Sequence, residues 1–271
     1  MALAVALAAG GCGGSGGSGG ALHDAGARLG AVHSGNLVLK LTAAPGTTGS
    51  GHDVGFSLQG PFELKAAKGA LPTARLSYTQ LAGPKERNSV FISTGDRAFV
   101  EVGQTAYQLA PDQTASLRQQ GESQSLQGLH LEKWARAPKV SDGGTADGVA
   151  AQRIDADVDV VPALNDIFGL AGQFGADQTG VKKIDGPSAD QLRKAVQSAK
   201  LVILTGKKDR LMRSLQLDVT FAAQSVSQLQ SALGQLAGVR LDVLLTIAGP
   251  NQPVHVEPPA APRPISELSG R

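Results

Sequence analysis

The sequence predicts an α+β protein in which one antiparallel sheet has helices packed against one of its sides. Three observations carry this. From Leu37 onward, successive stretches place apolar residues at every second position, as half-buried strands do. The first of these stretches are joined by short turns, whereas parallel neighbours would need a long crossover. Segments with helical spacing interrupt the strands instead of forming a block of their own, so both kinds of element share one core.

Taken in order, "ALHDAGARLGAVHS" puts Leu22, Leu29 and Val32 at helical spacing and predicts a short amphipathic helix. The period then changes to two. "NLVLKLTA" places Leu37, Leu39 and Leu41 on one side, "DVGFSLQG" does so with Val54, Phe56 and Leu58, "ARLSYTQL" with Leu76 and Tyr78, and "SVFIST" with Val90 and Ile92. "RAFVEVG" and "TAYQL" follow, with corners at Gly95–Asp96 and Gly103–Gln104. "PDQTASLRQQ" and "SLQGLHLEKWARAPKV" read as a helical interlude in which Trp134 is a buried anchor against the sheet edge, and "SDGGTADG" as a surface loop.

"AAQRIDADVDVV" is again a strand, with Ile154, Ala156, Val158 and Val160 on one face and Asp155, Asp157 and Asp159 on the other. Alternate strand residues stand about 6.6 Å apart, while calcium needs its oxygens within about 2.6 Å. The acidic ladder is therefore expected to be a solvated outer face.

Pro162 marks a helix start, and "ALNDIFGLAGQF" places Leu164, Ile167, Phe168 and Ala171 on one side. Gly169 and Gly172 in this helix either let backbone approach backbone or leave room for something else. "SADQLRKAVQSA" has Ser188 and Gln191 in capping-box register and is expected to bury Leu192, Ala195, Val196 and Ala199. "KLVILTGKKDRLMRSLQLDVTF" is a hairpin turning at Gly206–Asp209, whose return strand aligns Leu211, Arg213, Leu215, Leu217, Val219 and Phe221. "SVSQLQSALGQLAG" is a helix through Val226, Leu229, Leu233 and Leu236, or else a flap. "VRLDVLLTI" is the last strand, and the prolines after it confine the remainder to an edge or an extended tail.

Composition excludes several functions. Lys and Arg total 25 against 23 Asp and Glu, and aromatics make up 4% of the 271 residues. A nucleic-acid partner, which calls for a basic stripe and stacking aromatics, is not expected. No stretch after the N-terminus approaches the roughly 18 apolar residues of a membrane-spanning helix. The single cysteine cannot form an internal disulfide or a multi-thiolate metal site.

The histidines, His23, His33, His52, His130 and His255, form no HExxH and no close pair, so no metal site is expected. Gly206–Lys207 matches the end of a phosphate loop, but Leu201 stands where that loop needs glycine. No glycine-rich cofactor turn follows a strand, and no cofactor is expected. The G-x-S-x-G patterns around Ser15 and Ser18 lie in a glycine run, not on the strand-to-helix turn a hydrolase elbow requires. The chain is not expected to be an enzyme.

The opening "MALAVALAAGGCGGSGGSGG" sets small residues Ala9, Gly10 and Gly11 after an apolar run and before Cys12. It resembles a bacterial lipobox, with Ala9 at the place of the usual leucine and no Lys or Arg before the apolar run. The resemblance implies a diacylglyceryl group on Cys12, an extracytoplasmic location and attachment to the cell membrane. An incidental cysteine in an Ala/Gly tail is the alternative. The expected organisation is a signal-peptide remnant over 1–11, an anchored Cys and flexible Gly/Ser tether over 12–20, one folded domain over 21–260 and a tail over 261–271.

This lipobox, the tether, the early helix and the antiparallel meander together resemble the actinobacterial LppX/LprG-type lipoproteins. "STGDRAFVEVGQTAYQL", "LTGKKDRLMRSLQLDVTF" and "VHVEPP" look like that family's two hairpins and its terminal strand, and the resemblance covers most of residues 21–260. It implies a LolA-like half-barrel, a single curved sheet with helices on the concave side. It also implies a cavity between sheet and helices for a lipid or other apolar ligand. The apolar faces that would wall such a cavity contain Phe56, Leu58, Ile167, Phe168, Leu215, Leu217, Val219, Phe221, Val243 and Leu245. Arg213, interrupting one such face, either meets a lipid headgroup or sits at an edge with its stem reaching to water. The alternative function is an envelope sensor or scaffold of the same fold that works through a protein partner and stores no ligand.

Overall fold

The computed structural model describes residues 17–44, 53–64, 70–82, 85–121, 126, 129–173, 183–226, 229, 233 and 236–268. Helix α1 (Ser18–Leu29) leads into a meander of β1 (Ser34–Ala44), β2 (Val54–Glu63), β3 (Thr73–Ala82), β4 (Lys85–Thr94), β5 (Ala98–Val102) and β6 (Thr105–Gln108). Helices α2 (Pro111–Gly121) and α3 (Leu131–Trp134) precede the hairpin of β7 (Ala135–Ala146) and β8 (Val149–Val158). Helices α4 (Val160–Gln173) and α5 (Gly186–Ala195) then lead to β9 (Val196–Gly206), β10 (Met212–Phe221), β11 (Arg240–Ala248) and the short β12 (Arg263–Pro264).

All twelve strands form one open, curved sheet in the order β12-β6-β5-β4-β3-β2-β1-β11-β10-β9-β8-β7. Every neighbouring pair is antiparallel except β12 with β6. The two halves of the chain join at β1 and β11, which makes the first and last long strands central neighbours. The fold is thus the expected half-barrel, with its helices on the concave side.

Cross-strand pairing keeps partners on the same face of a sheet. One row therefore runs from Val140 through Ile154, Ile203, Leu215, Leu245, Leu39, Leu58, Tyr78 and Ser89 to Val102. A second runs from Ala156 through Leu201, Leu217, Val243, Leu41, Phe56 and Gln80 to Arg87. These rows carry the apolar core, against which Leu22, Ala25 and Leu29 of α1, Leu131 and Trp134 of α3, and Val160, Ala163, Leu164, Ile167 and Leu170 of α4 are buried. Leu229, Leu233 and Leu236 are buried there too, Leu229 and Leu233 in helical conformation.

Several boundaries differ from expectation. Helix α1 starts at Ser18, inside the stretch read as tether; the amides of Gly20 and Ala21 both donate to the Gly17 carbonyl. Burial of Leu22 and Ala25 lets the helix grow back one turn through glycines that would not nucleate it alone. Helix α3 has only four residues, and Ala135–Ala146, read as the end of the interlude and most of the loop, is strand β7. That strand is exposed along most of its length and has irregular register near Arg136–Lys139 and Asp142–Thr145, so it shows no apolar alternation. Bulges and charges of this kind are how a sheet edge avoids pairing with another chain.

Helix α5 stops at Ala195, and strand β9 begins at once with Val196. Its N-cap position is Asp185, not Ser188, and Ala199 is buried from a strand. β12 and the turn Ile265–Glu267 fall in the stretch read as tail, because the parallel pairing of Arg263 with Tyr107 gives the chain end a place on the sheet.

β4 is apolar on both faces. Phe91 pairs with Leu76 and Val100 on the inner face, whereas Ile92 pairs with Phe99 on the outer. There Ile92, Phe99 and Val256 form a small second cluster joined by Val90 and Val254. The acidic ladder is an ion-paired outer face, as expected of a solvated surface: Arg153 binds Asp155 at 2.7 Å, and Lys200 binds Asp157. The hydrogen bonds from Arg153 and Lys200 hold both carboxyls below the usual carboxylate range. Asp159 instead sits at the start of α4, accepting from Val161 N and pairing with Arg136 and Arg193.

Candidate functional site

Strand alternation places the sequence-predicted wall residues together. Phe56, Leu58, Leu215, Leu217, Val219, Phe221, Val243 and Leu245 lie on the inner face of the sheet, and Ile167 on α4 faces them; each is at most 2% exposed. Phe168, the tenth, packs against the same cluster but is only partly buried. Phe56 stacks on Tyr78, with ring centroids 6.2 Å apart and planes inclined by 26°.

The inner face does not end where full burial ends. From Leu58 the first row continues to Tyr78 and Ser89, which are half-buried, and to Val102, which is 41% exposed. Below it, Leu76 leads to Phe91 and Val100, both half-buried. The second row passes from Phe56 to half-buried Gln80 and exposed Arg87. Burial raises the Tyr78 hydroxyl above the ordinary phenol range, which keeps it neutral. These wing residues were missed as a group because exposure on one face depends on where the helices stop, which no local spacing encodes.

Helix α4, which covers the wall, is clamped on both sides by polar bonds. One oxygen of Asp166 accepts from His130 N at 2.8 Å, from His130 Nδ1 at 3.1 Å and from Trp134 Nε1 at 2.8 Å. Its neighbour Asn165 donates to the Ile184 carbonyl at 2.9 Å and accepts from Ile184 N at 2.8 Å. Trp134 is fully buried, as its reading as an anchor requires, and its indole N–H is satisfied. Gly169 is exposed, and a Cβ placed there would meet nothing within 4 Å, so it makes no room inside the core.

Arg213 corrects its expected role. It stands at the bulge where β10 changes register, is 6% exposed, and binds Asp209 at 2.6 Å with Asp147 3.5 Å away. It is therefore neither a headgroup ligand nor a side chain reaching to water. Burial pushes the Asp209 carboxyl up, but hydrogen bonds from Arg213 and Leu211 N outweigh it and leave the group below the usual range. Cys12 lies outside the described residues.

On the outer face, Lys40, Thr42, Gln216, Asp218, Arg240 and Asp242 line a depression of ≈ 290 Å³ together with Val243 and Leu244. Three of its charges are paired, Arg240 reaching Asp242 at 2.7 Å and Asp218 at 3.3 Å. Among the described residues, no three His, Cys, Asp or Glu side chains converge in a way that could hold a metal ion.

The fold and this inner face define a class: a half-barrel α+β protein whose sheet offers one continuous apolar wall to its helices. Among solved structures, the chain is similar to the Mycobacterium tuberculosis lipoprotein LppX, with a TM-score of 0.44 and 11% identity over 89% of this chain and 98% of that one. It is also similar to LprF from Mycobacterium bovis, with a TM-score of 0.40 and 10% identity over 90% of this chain and 97% of that one. No protein-family model matches the sequence, and no curated protein does.

Proposed function

We propose that this chain is an extracytoplasmic lipoprotein, held to the cell membrane by acyl chains on Cys12, that binds or carries a lipid or other apolar ligand between sheet and helices. The observation that carries the reading is the inner wall itself. It is apolar across the central strands and continues as Tyr78, Phe91, Val100 and Val102 beyond the point of full burial. A wall serving only as core gains nothing from apolar side chains left in water, whereas a ligand lying along it would cover them. The ten wall residues from Phe56 to Leu245 are the proposed contacts, and they offer no nucleophile, acid or base to a bound molecule. No helix among the described residues is long and apolar enough to cross a membrane, so attachment in this reading falls to Cys12.

Lipid mass spectrometry of protein extracted under native conditions tests the ligand. Bound lipid is the expected result. Protein repeatedly free of lipid, with another envelope protein co-purifying stoichiometrically, would establish the scaffold reading instead. The anchor is tested separately: Cys12→Ser removes about 0.8 kcal/mol per buried methylene and should move the protein out of the membrane fraction. A Cys12→Ser variant that stays attached would refute it.

A further inference from the structure

The exposed wing of the inner face differs in chemistry from the rest of the surface. At the other end of the long row, exposure is confined to the edge strand: Val140 on β7 is 40% exposed while its neighbour Ile154 is fully buried. At the wing it sets in at Tyr78, on the fifth strand of the sheet counted from β12, and deepens through β4 and β5. The wing surface thus spans three strands and joins the buried wall without a polar break along Leu76, Phe91 and Val100.

Polar groups gather along one border of this strip. Arg87 faces Gln80 across the β3–β4 pair, and one step along the strands Ser89 faces Tyr78. Several charges on the outer face are paired, Arg75 with Glu101, Arg153 with Asp155 and Arg240 with Asp242. Arg87 stands on the inner face, exposed, and no carboxylate among the described residues pairs with it. A guanidinium flanked by an amide and a hydroxyl, above an apolar strip, is complementary to an anionic head on an apolar chain.

We propose that the wing takes the part of an amphiphile that emerges from the inner wall, Arg87 receiving an anionic head while Tyr78, Phe91, Val100 and Val102 hold the chain beneath it. This rests on the apolar-ligand reading above and narrows it to ligands with a negatively charged head. Gln80 and Ser89 supply neutral hydrogen bonds that tolerate different anionic groups, so head charge is selected more strongly than head structure. Arg87 is then a specificity-determining residue.

Two probes with the same chain and different heads, oleate and oleyl alcohol, test this below their aggregation limits. Binding is followed by displacement of an environment-sensitive fluorophore from the full chain. Wild-type protein should bind both and favour oleate. Arg87→Gln should lower the oleate-to-alcohol preference by about three- to fivefold, as expected for a partly exposed charged contact. Arg87→Glu should reverse it, and Arg87→Lys should keep most of it. Val102→Asp should weaken both probes. Arg87 and Val102 are exposed, so thermal unfolding of the variants should match wild type. Binding of both probes with a preference indifferent to residue 87 overturns the head assignment alone. Failure of wild type to bind either probe overturns the apolar-ligand reading and this inference with it.

Discussion

Val140 on β7 and Val102 on β5 end the same cross-strand row, nine pairings apart across the sheet, and are 40% and 41% exposed. Between them Leu39 and Leu245, which face each other where the two halves of the chain join, are at most 2% exposed. Position in one row therefore decides the effect of one kind of truncation. Leu39→Ala or Leu245→Ala leaves a cavity in packed surroundings and should destabilise by about 2–5 kcal/mol. Val102→Ala should cost less than about 0.5 kcal/mol. Urea unfolding of the purified variants checks the contrast. Equal losses at the centre and the end would contradict the register.

The centre of that row was legible in the sequence, and its ends were not, for the same physical reason. Leu215, Leu217 and Val219 alternate with polar residues because one side of β10 meets protein and the other meets water. β7 meets water on most of its length, so nothing in "ARAPKVSDGGTA" alternates, and it reads as loop. The boundary at Val196 was hidden by coincidence. Leu192, Ala195, Val196 and Ala199 fit a helical stripe, yet pairing of Val196 with Phe221 and of Ser198 with Thr220 decides for strand. In "SVFIST" the alternation has two valid phases, and only tertiary packing sets Phe91 toward the helices and Ile92 toward Val256.

Asp242 faces Asp218 across β10 and β11 on the outer surface. Burial, and then the hydrogen bond shared with Asp218, hold the Asp242 carboxyl above the usual range. A carboxyl raised on folding favours the folded state when protonated. That contribution is complete below its unfolded value of about 3.9 and is lost as pH rises through the folded value. Asp242→Asn removes the charged form and should therefore gain most over wild type near neutral pH. The gain should shrink on acidification toward about pH 4. Denaturant unfolding across this range is the measurement, and a difference that grows in acid would contradict the sign.

Two glycines should respond oppositely to alanine. Gly55 in β2 has φ +154°, and a Cβ there would sit 2.0 Å from the Leu41 carbonyl oxygen of β1. Gly55→Ala must push two central strands apart and should cost well over about 1 kcal/mol. Gly169 lies in α4 with open space around it, so Gly169→Ala should stabilise by about 0.5–1 kcal/mol through helix propensity alone. Thermal melts of the two variants give the answer. A loss at Gly169 would mean that its small size serves a contact, and the view that it makes no room in the core would fall.

The wing that carries Arg87 is held from behind by the chain's own end. After β11 the Asn251 side chain accepts from His33 N at 3.0 Å and donates to the Ala31 carbonyl at 3.1 Å. The segment then lays Val254 and Val256 against Ile92 and Phe99 and pairs Arg263–Pro264 with β6. Ile92 and Phe99 are fully buried although they face away from the helices, so this strap is what keeps them dry. Val256→Asp sets a charge without a partner against that cluster and should cost about 2 kcal/mol locally. Because the outer cluster is separate from the main core, the loss should be regional. Amide hydrogen exchange should accelerate in β4, β5 and β6 while β8 to β11 keep their protection. Oleate binding should weaken in parallel, since the strap sets the position of the strands that carry Phe91, Val100 and Arg87. Uniform loss of protection across the sheet would show that the strap supports the whole fold and not the wing.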